Sequence, residues 1–212
     1  LAWEVDLGET DEIKASPVVV DLDYDGKQEI LVSFDLSGTF YVKGYSPELI
    51  CTVTGWSPGG SHVTELLWTY SDSTLMIGST DGPYVSSAYG GHKPTAQPLL
   101  ADLDLDGTAE LVLSLIEKNS DDPVILALDI TGSSATSIWE KTLDKGTHPS
   151  DPAFLQTDEN TAFVILTSVQ SSTSAMWLWK LDASDGDSNW DGKSLENLNG
   201  FDSNVPHIRL PG

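Results

Sequence analysis

Two short stretches of this chain carry carboxylates at alternating positions. The first is Asp21-x-Asp23-x-Asp25-Gly26-x-x-Glu29, and the same pattern returns as Asp102-x-Asp104-x-Asp106-Gly107-x-x-Glu110. Unscreened carboxylates this close repel one another, so the spacing asks for a cation. A hard divalent ion such as calcium takes six to eight oxygen ligands at about 2.3–2.6 Å. Alternate residues of a tight loop turn their side chains to one side, and the glycine permits the sharp turn. A backbone carbonyl at Lys27 or Thr108 would add an oxygen. Glu29 or Glu110 would close the site from the next strand. A plain Asp-Gly turn is the competing reading of one such loop. The second copy, with the carboxylate again three residues after the glycine, makes metal binding the stronger expectation.

A third stretch, Asp187-x-Asn189-x-Asp191-Gly192, opens in the same way, but Leu195 stands where Glu29 would be. It is a candidate for a third ion, with a solvated Asp/Asn/Gly loop as the favoured alternative. No catalytic residues are assigned. The chain lacks a nucleophile elbow, a phosphate loop, a zincin helix and a dinucleotide fingerprint. His62, His92, His148 and His207 are scattered, and each reads as a loop or surface histidine.

The acidic loops need scaffolding on both sides. Each lies between apolar runs, Val18 to Val20 and Ile30 to Val32 in the first copy, Leu99 to Ala101 and Leu111 to Leu113 in the second. Such short runs, rich in β-branched and aliphatic residues and divided by Gly, Asp, Ser and Pro, read as strands. In the first copy strands are expected at 16–20, 29–34, 39–45 and 49–54. In the second they are expected at 97–101, 109–116, 123–129 and 136–142. Long helical periodicity is absent, and only Lys193 to Leu198 reads as a helical turn.

Self-comparison extends the repeat. Pro17 aligns with Pro98 and Pro152, and the chain divides into units at 14–60, 61–93, 94–146 and 147–183. The second and fourth units lack the acidic pattern. The stretch 1–8, LAWEVDLG, resembles SIWEKTLD, which makes Trp3 and Trp139 counterparts that pack between units. That N-terminal strand either closes the last unit or belongs to one before it. Residues 184–212 form an acidic loop and a C-terminal segment. The fold expected is all-β: a complete or partial β-propeller of about four four-stranded blades, because repeats of this length match radially packed small sheets.

PVVVDLDYDGKQEILV and PLLADLDLDGTAELVL resemble the calcium-binding repeats of FG-GAP/VCBS-type β-propellers, which occur in integrin α-chains and secreted microbial proteins. The resemblance covers about twenty residues in each of two units. It implies structural calcium within blades and a role outside the cell or on its surface. The family's Phe-Gly and Gly-Ala-Pro elements are missing, and Glu stands where Asp is frequent, which argues against carrying over integrin-like ligand recognition.

The 212 residues carry 33 Asp and Glu against 10 Lys and Arg, a formal net charge of -23. Nucleic acid, which needs a basic face, is excluded as a partner. No run is long and apolar enough for a membrane-spanning helix. Cys51 is the sole cysteine, so no intrachain disulfide and no Cys-based zinc site can form. Trp3, Trp68, Trp139, Trp177 and Trp179 read as core residues. Trp56 and Trp190, in loops, are better placed to touch a ligand. The expected role is adhesion, recognition or surface assembly, with a protein or glycan ligand and possible association with further blades or another copy. The alternatives are a propeller-based lyase or glycosidase, or a lectin; the single arginine, Arg209, argues against an arginine clamp on an acidic sugar.

Overall fold

The computed structural model describes residues 15–22, 26–46, 65–77, 97–120, 122–131, 133–144, 148–170, 175–187 and 193–194. Among them there is no helix, and the strands form three antiparallel sheets. The first sheet is a meander of β1 (Val18–Val20), β2 (Glu29–Leu36), β3 (Thr39–Ser46) and β4 (Glu65–Asp72). In the second, β5 (Leu75–Met76) and β6 (Leu99–Ala101) both pair with β7 (Glu110–Glu117), followed by β8 (Pro123–Thr131) and β9 (Ser134–Thr142). The third repeats that plan. Strands β10 (His148–Pro149) and β11 (Ala153–Asp158) pair with β12 (Thr161–Gln170), then come β13 (Ala175–Asp182) and β14 (Lys193–Ser194).

Local chemistry explains these boundaries. The β2–β3 turn uses Ser37 and Gly38, both left-handed at φ 52° and 70°. Two left-handed residues make the hairpin turn that matches strand twist. Each first main strand begins on the residue after a proline: Val18 after Pro17, Leu99 after Pro98, Ala153 after Pro152. Proline has no N–H to donate, which suits a strand's start.

The second sheet is the middle layer. Leu111, Leu113 and Leu115 pack with Leu31, Phe40, Val42 and Trp68 of the first sheet. From its other face, Val112, Ile125, Ala127 and Trp139 pack with Val164, Leu166, Trp179 and Leu181 of the third. Cover on both sides explains why β7 is an apolar run rather than an alternating one.

Three expectations change. The described residues form three sheets, not four. Unit 61–93 builds no sheet of its own there: β4 completes the first sheet and β5 joins the second. The edge of β3 is filled by β4, whose Trp68 and Tyr70 reach the core between the sheets. Lys193–Ser194, expected in a helical turn, instead pairs along Trp177 and Leu178, where β13 has a free edge. The strand expected at 49–54, the stretch 1–8 with Trp3, and Cys51 lie outside the described residues.

Acidic side chains meet at one end of the first interface. Asp72 pairs with Phe40, Glu117 with Leu75 and Glu140 with Leu126, all apolar partners in the core between the first two sheets. Residues directly opposite in a ladder share a face, so these carboxylates point into the same gap. Burial holds the Glu140 carboxyl above its ordinary value, and the charges of Asp72 and Glu117 add to this. Burial also pushes the Tyr70 phenol up to about 12, helped by Asp72 and Glu140. A raised carboxyl pKa means the folded state binds its proton more tightly than the unfolded state. Stability is therefore lost as pH rises from 4.5 through the raised value of Glu140. Glu140→Gln is expected to melt higher than the native chain at pH 7, with the gap closing towards pH 4. The gain is small because solvent screens the side chain. Thermal melts of both chains at the two pH values, in saturating calcium, check this.

Candidate metal centre

The second acidic loop bridges β6 and β7, which pair from Leu99↔Val112 to Ala101↔Glu110. Asp102, Asp104 and Asp106 each offer a carboxylate oxygen, and the three oxygens lie within 4.8 Å of one another. Backbone N–H groups hold them there. Asp102 accepts from Asp106 through Oδ1 and from Gly107 through Oδ2, both at 3.0 Å. Asp104 Oδ1 accepts from Asp106 N–H at 3.2 Å. Asp106 Oδ1 accepts both the N–H and the hydroxyl of Thr108, at 2.8 and 2.6 Å. Those two bonds hold the Asp106 carboxyl below its usual range. Gly107 is left-handed at φ 97°, where a side chain would be strained.

Glu110 closes the loop from β7. Its carboxylate is buried, with Oε2 accepting from Leu103 N–H at 2.6 Å and Oε1 3.4 Å from the Thr108 hydroxyl. Burial raises its pKa, the Leu103 bond opposes this, and the charges of Asp104, Asp102 and Asp106 add to the rise. Glu110 is thus tied to the backbone beside the three aspartates, and the carboxylates that lie within 4.8 Å of one another are theirs and not its own.

The first loop repeats this frame. Gly26 N–H donates to Asp21 Oδ2 at 3.0 Å, as Gly107 does to Asp102. Leu22 N–H donates to the buried Glu29 through Oε2 at 2.8 Å, as Leu103 does to Glu110. Gly26 is likewise left-handed, at φ 87°. Among the described residues, Asp21 Oδ1 is buried with no hydrogen-bond partner. Lys27 is exposed. Asp23 and Asp25 lie outside the described residues.

The leucine between the first two aspartates is a part of the site the spacing argument missed. Leu22 and Leu103 are 6% and 2% exposed. Each sinks its side chain into the core while its N–H fixes the glutamate. The signal was present in the sequence, since both copies read Asp-Leu-Asp.

The third sheet has no such loop in the equivalent place. Its β11–β12 hairpin turns through Glu159 and Asn160, with Asp158 Oδ1 accepting from Asn160 N–H. Of the third acidic stretch only Asp187 is described. Its N–H donates to Asp185, its carbonyl accepts from Asp182, and its carboxylate pairs with Lys141 at 3.3 Å. Asn189 and Asp191 lie outside the described residues, as do Trp56, Trp190, His62, His92, His207 and Arg209. His148 begins β10. Trp68, Trp139 and Trp179 are buried, as core residues should be.

Fold and site together define an all-β protein of layered antiparallel sheets, with an aspartate cluster able to hold a metal ion in a loop between two strands. No family model matches the chain, and neither a curated protein nor a solved structure matches it.

Proposed function

We propose that the chain is a calcium-stabilised β-propeller-type module, of the FG-GAP/VCBS kind, that serves binding, adhesion or assembly at a cell surface. One observation carries this reading. Two loops far apart in the sequence share one hydrogen-bond frame, glycine N–H to the first aspartate and leucine N–H to the glutamate. In the second loop that frame gathers three carboxylates. In the first it leaves a buried carboxylate oxygen with no partner among the described residues. Chance Asp-Gly turns have no reason to repeat such an arrangement.

The donor set fits calcium. All candidate ligands are oxygens, the ligand class of a hard cation, with no imidazole or thiolate among them. Asp21, Asp23, Asp25 and Glu29 would hold one ion, and Asp102, Asp104, Asp106 and Glu110 the other. The Lys27 and Thr108 carbonyls would add a ligand each. Bound calcium supplies positive charge that offsets the repulsion in each loop and ties its two flanking strands together. Its role is structural, and the chain's own part is to position oxygens. The sheet stack also suits a propeller, since each sheet packs face to face on the next.

Titration calorimetry on the native chain and on Asp23→Ala, Asp104→Ala and the double variant tests this. Each single variant is expected to lose one of the calcium equivalents, and the double variant both. Equal calcium uptake by the double variant and the native chain would sink the proposal.

A further inference from the structure

The two faces of each sheet differ, and among the described residues nothing packs on the outward face of the third sheet. On the second sheet, Leu99, Val112 and Ala127 share the face that packs on the third. The ladders place Ala153, Ile165 and Lys180 at the matching positions of the third sheet. There Ala153 is exposed, and Ile165 and Lys180 are partly so. Leu155, the counterpart of Ala101, is 44% exposed where Ala101 is 8%. A face that is covered in the first and second sheets lies uncovered by the described residues in the third.

The sequence supplies a candidate for the cover. Pro98, Pro152 and Pro206 fall at equal intervals, and the first two immediately precede β6 and β11. The second residue after the proline is apolar every time: Val19, Leu100, Phe154 and Ile208. In the second and third sheets this residue leans back on the preceding layer. Leu100 packs into the core with the first sheet, and Phe154 into the core with the second. The strand that carries Phe154 also packs on β6, which carries Leu100. The connection from β14 to Pro206 is slightly longer than that from β9 to Pro152, so the chain can make the same crossing.

We infer that the chain's own segment Pro206 to Leu210 is the first strand of a further repeat and docks on the outward face of the third sheet, with Ile208 against Leu155. This contact is independent of the calcium reading, because it rests on the strand repeat and not on the acidic loops.

A double-mutant cycle in the full chain tests it, using Leu155→Asp, Ile208→Asp and the double variant, read by thermal melting and light scattering. Each single variant is expected to lower the melting temperature by about 3 °C. The double variant should fall no further than the lower single one, because one contact is lost only once. Ile208→Ala, which removes only the apolar contact, keeps the cycle readable if Ile208→Asp does not fold. Additive shifts, or no shift at Ile208, would overturn the inference. A fall in molar mass with Leu155→Asp would also overturn it, since a second copy would then be the cover.

Discussion

Chelation of calcium is expected to lower the melting temperature of this chain by about 10–20 °C. A ligand that binds only the folded state at a hundred times its Kd adds about 2.7 kcal/mol per site. Two sites add about 5 kcal/mol, and each kcal/mol moves a domain of this size by about 2–4 °C. The loss should be uneven. The pairings β1–β2 and β6–β7 flank the acidic loops. The β11–β12 hairpin closes through Glu159 and Asn160 with no such loop. Hydrogen exchange with and without chelator should therefore show the first two pairings losing more protection than the third. Magnesium should restore the native melt poorly, since it demands a tighter octahedral shell and gives up its water reluctantly. A shift of less than about 2 °C, the effect of under 1 kcal/mol, would remove calcium from the account of stability.

Trp139→Ala is expected to cost about 3–5 kcal/mol. The ring is 7% exposed and packs in the core between the second and third sheets. Its Nε1–H donates to the Ala183 carbonyl at 2.9 Å, which ties β9 to the turn after β13. The ring lies on Gly186, where a Cβ would meet its carbons at 2.6 and 2.8 Å. Gly186 is also left-handed at φ 72°, so that turn is built around the indole. Truncation opens a cavity and leaves a buried carbonyl without its donor. Trp139→Phe keeps most of the apolar volume and loses the hydrogen bond, so about 1–2 kcal/mol is expected. Urea denaturation of the three chains measures both values. Equal stability of the Phe and native chains would show that the Ala183 bond contributes nothing net.

Trp139 also shows where sequence reading reached its limit. Its resemblance to the N-terminal stretch made Trp3 its counterpart, and Trp3 lies outside the described residues. Among the described residues Trp68 fills the equivalent place. Trp68 pairs with Gly44 and Trp139 with Ala127, each beside a register shift, and each ring faces the following sheet. The spacing hid this match, because Trp68 stands much further from Pro98 than Trp139 does from Pro152. Alternating and apolar runs give a strand's place along the chain but not the sheet it joins. Strands β4 and β5 lie two residues apart and belong to different sheets, so the stretch looked like one unit.

Local chemistry was more legible. The expected strands 29–34, 39–45, 109–116 and 136–142 match β2, β3, β7 and β9 to within two residues at each end. Gly, Pro and Asp mark those ends within the sequence itself. The gathering of Asp102, Asp104 and Asp106 was legible for the same reason, since a tight loop sets it. Asp187 was not, because its partner Lys141 comes from another strand across the sheet interface. Glu29 and Glu110 fall between these cases. Their place beside the aspartates could be read, but the backbone N–H each one holds could not.

The most direct test of the central claim is anomalous diffraction from crystals grown with calcium. One peak is predicted inside the Asp21–Glu29 loop and one inside the Asp102–Glu110 loop, with oxygen ligands at about 2.3–2.6 Å. The β11–β12 hairpin should show none. Well-ordered acidic loops with no peak in either would contradict the account.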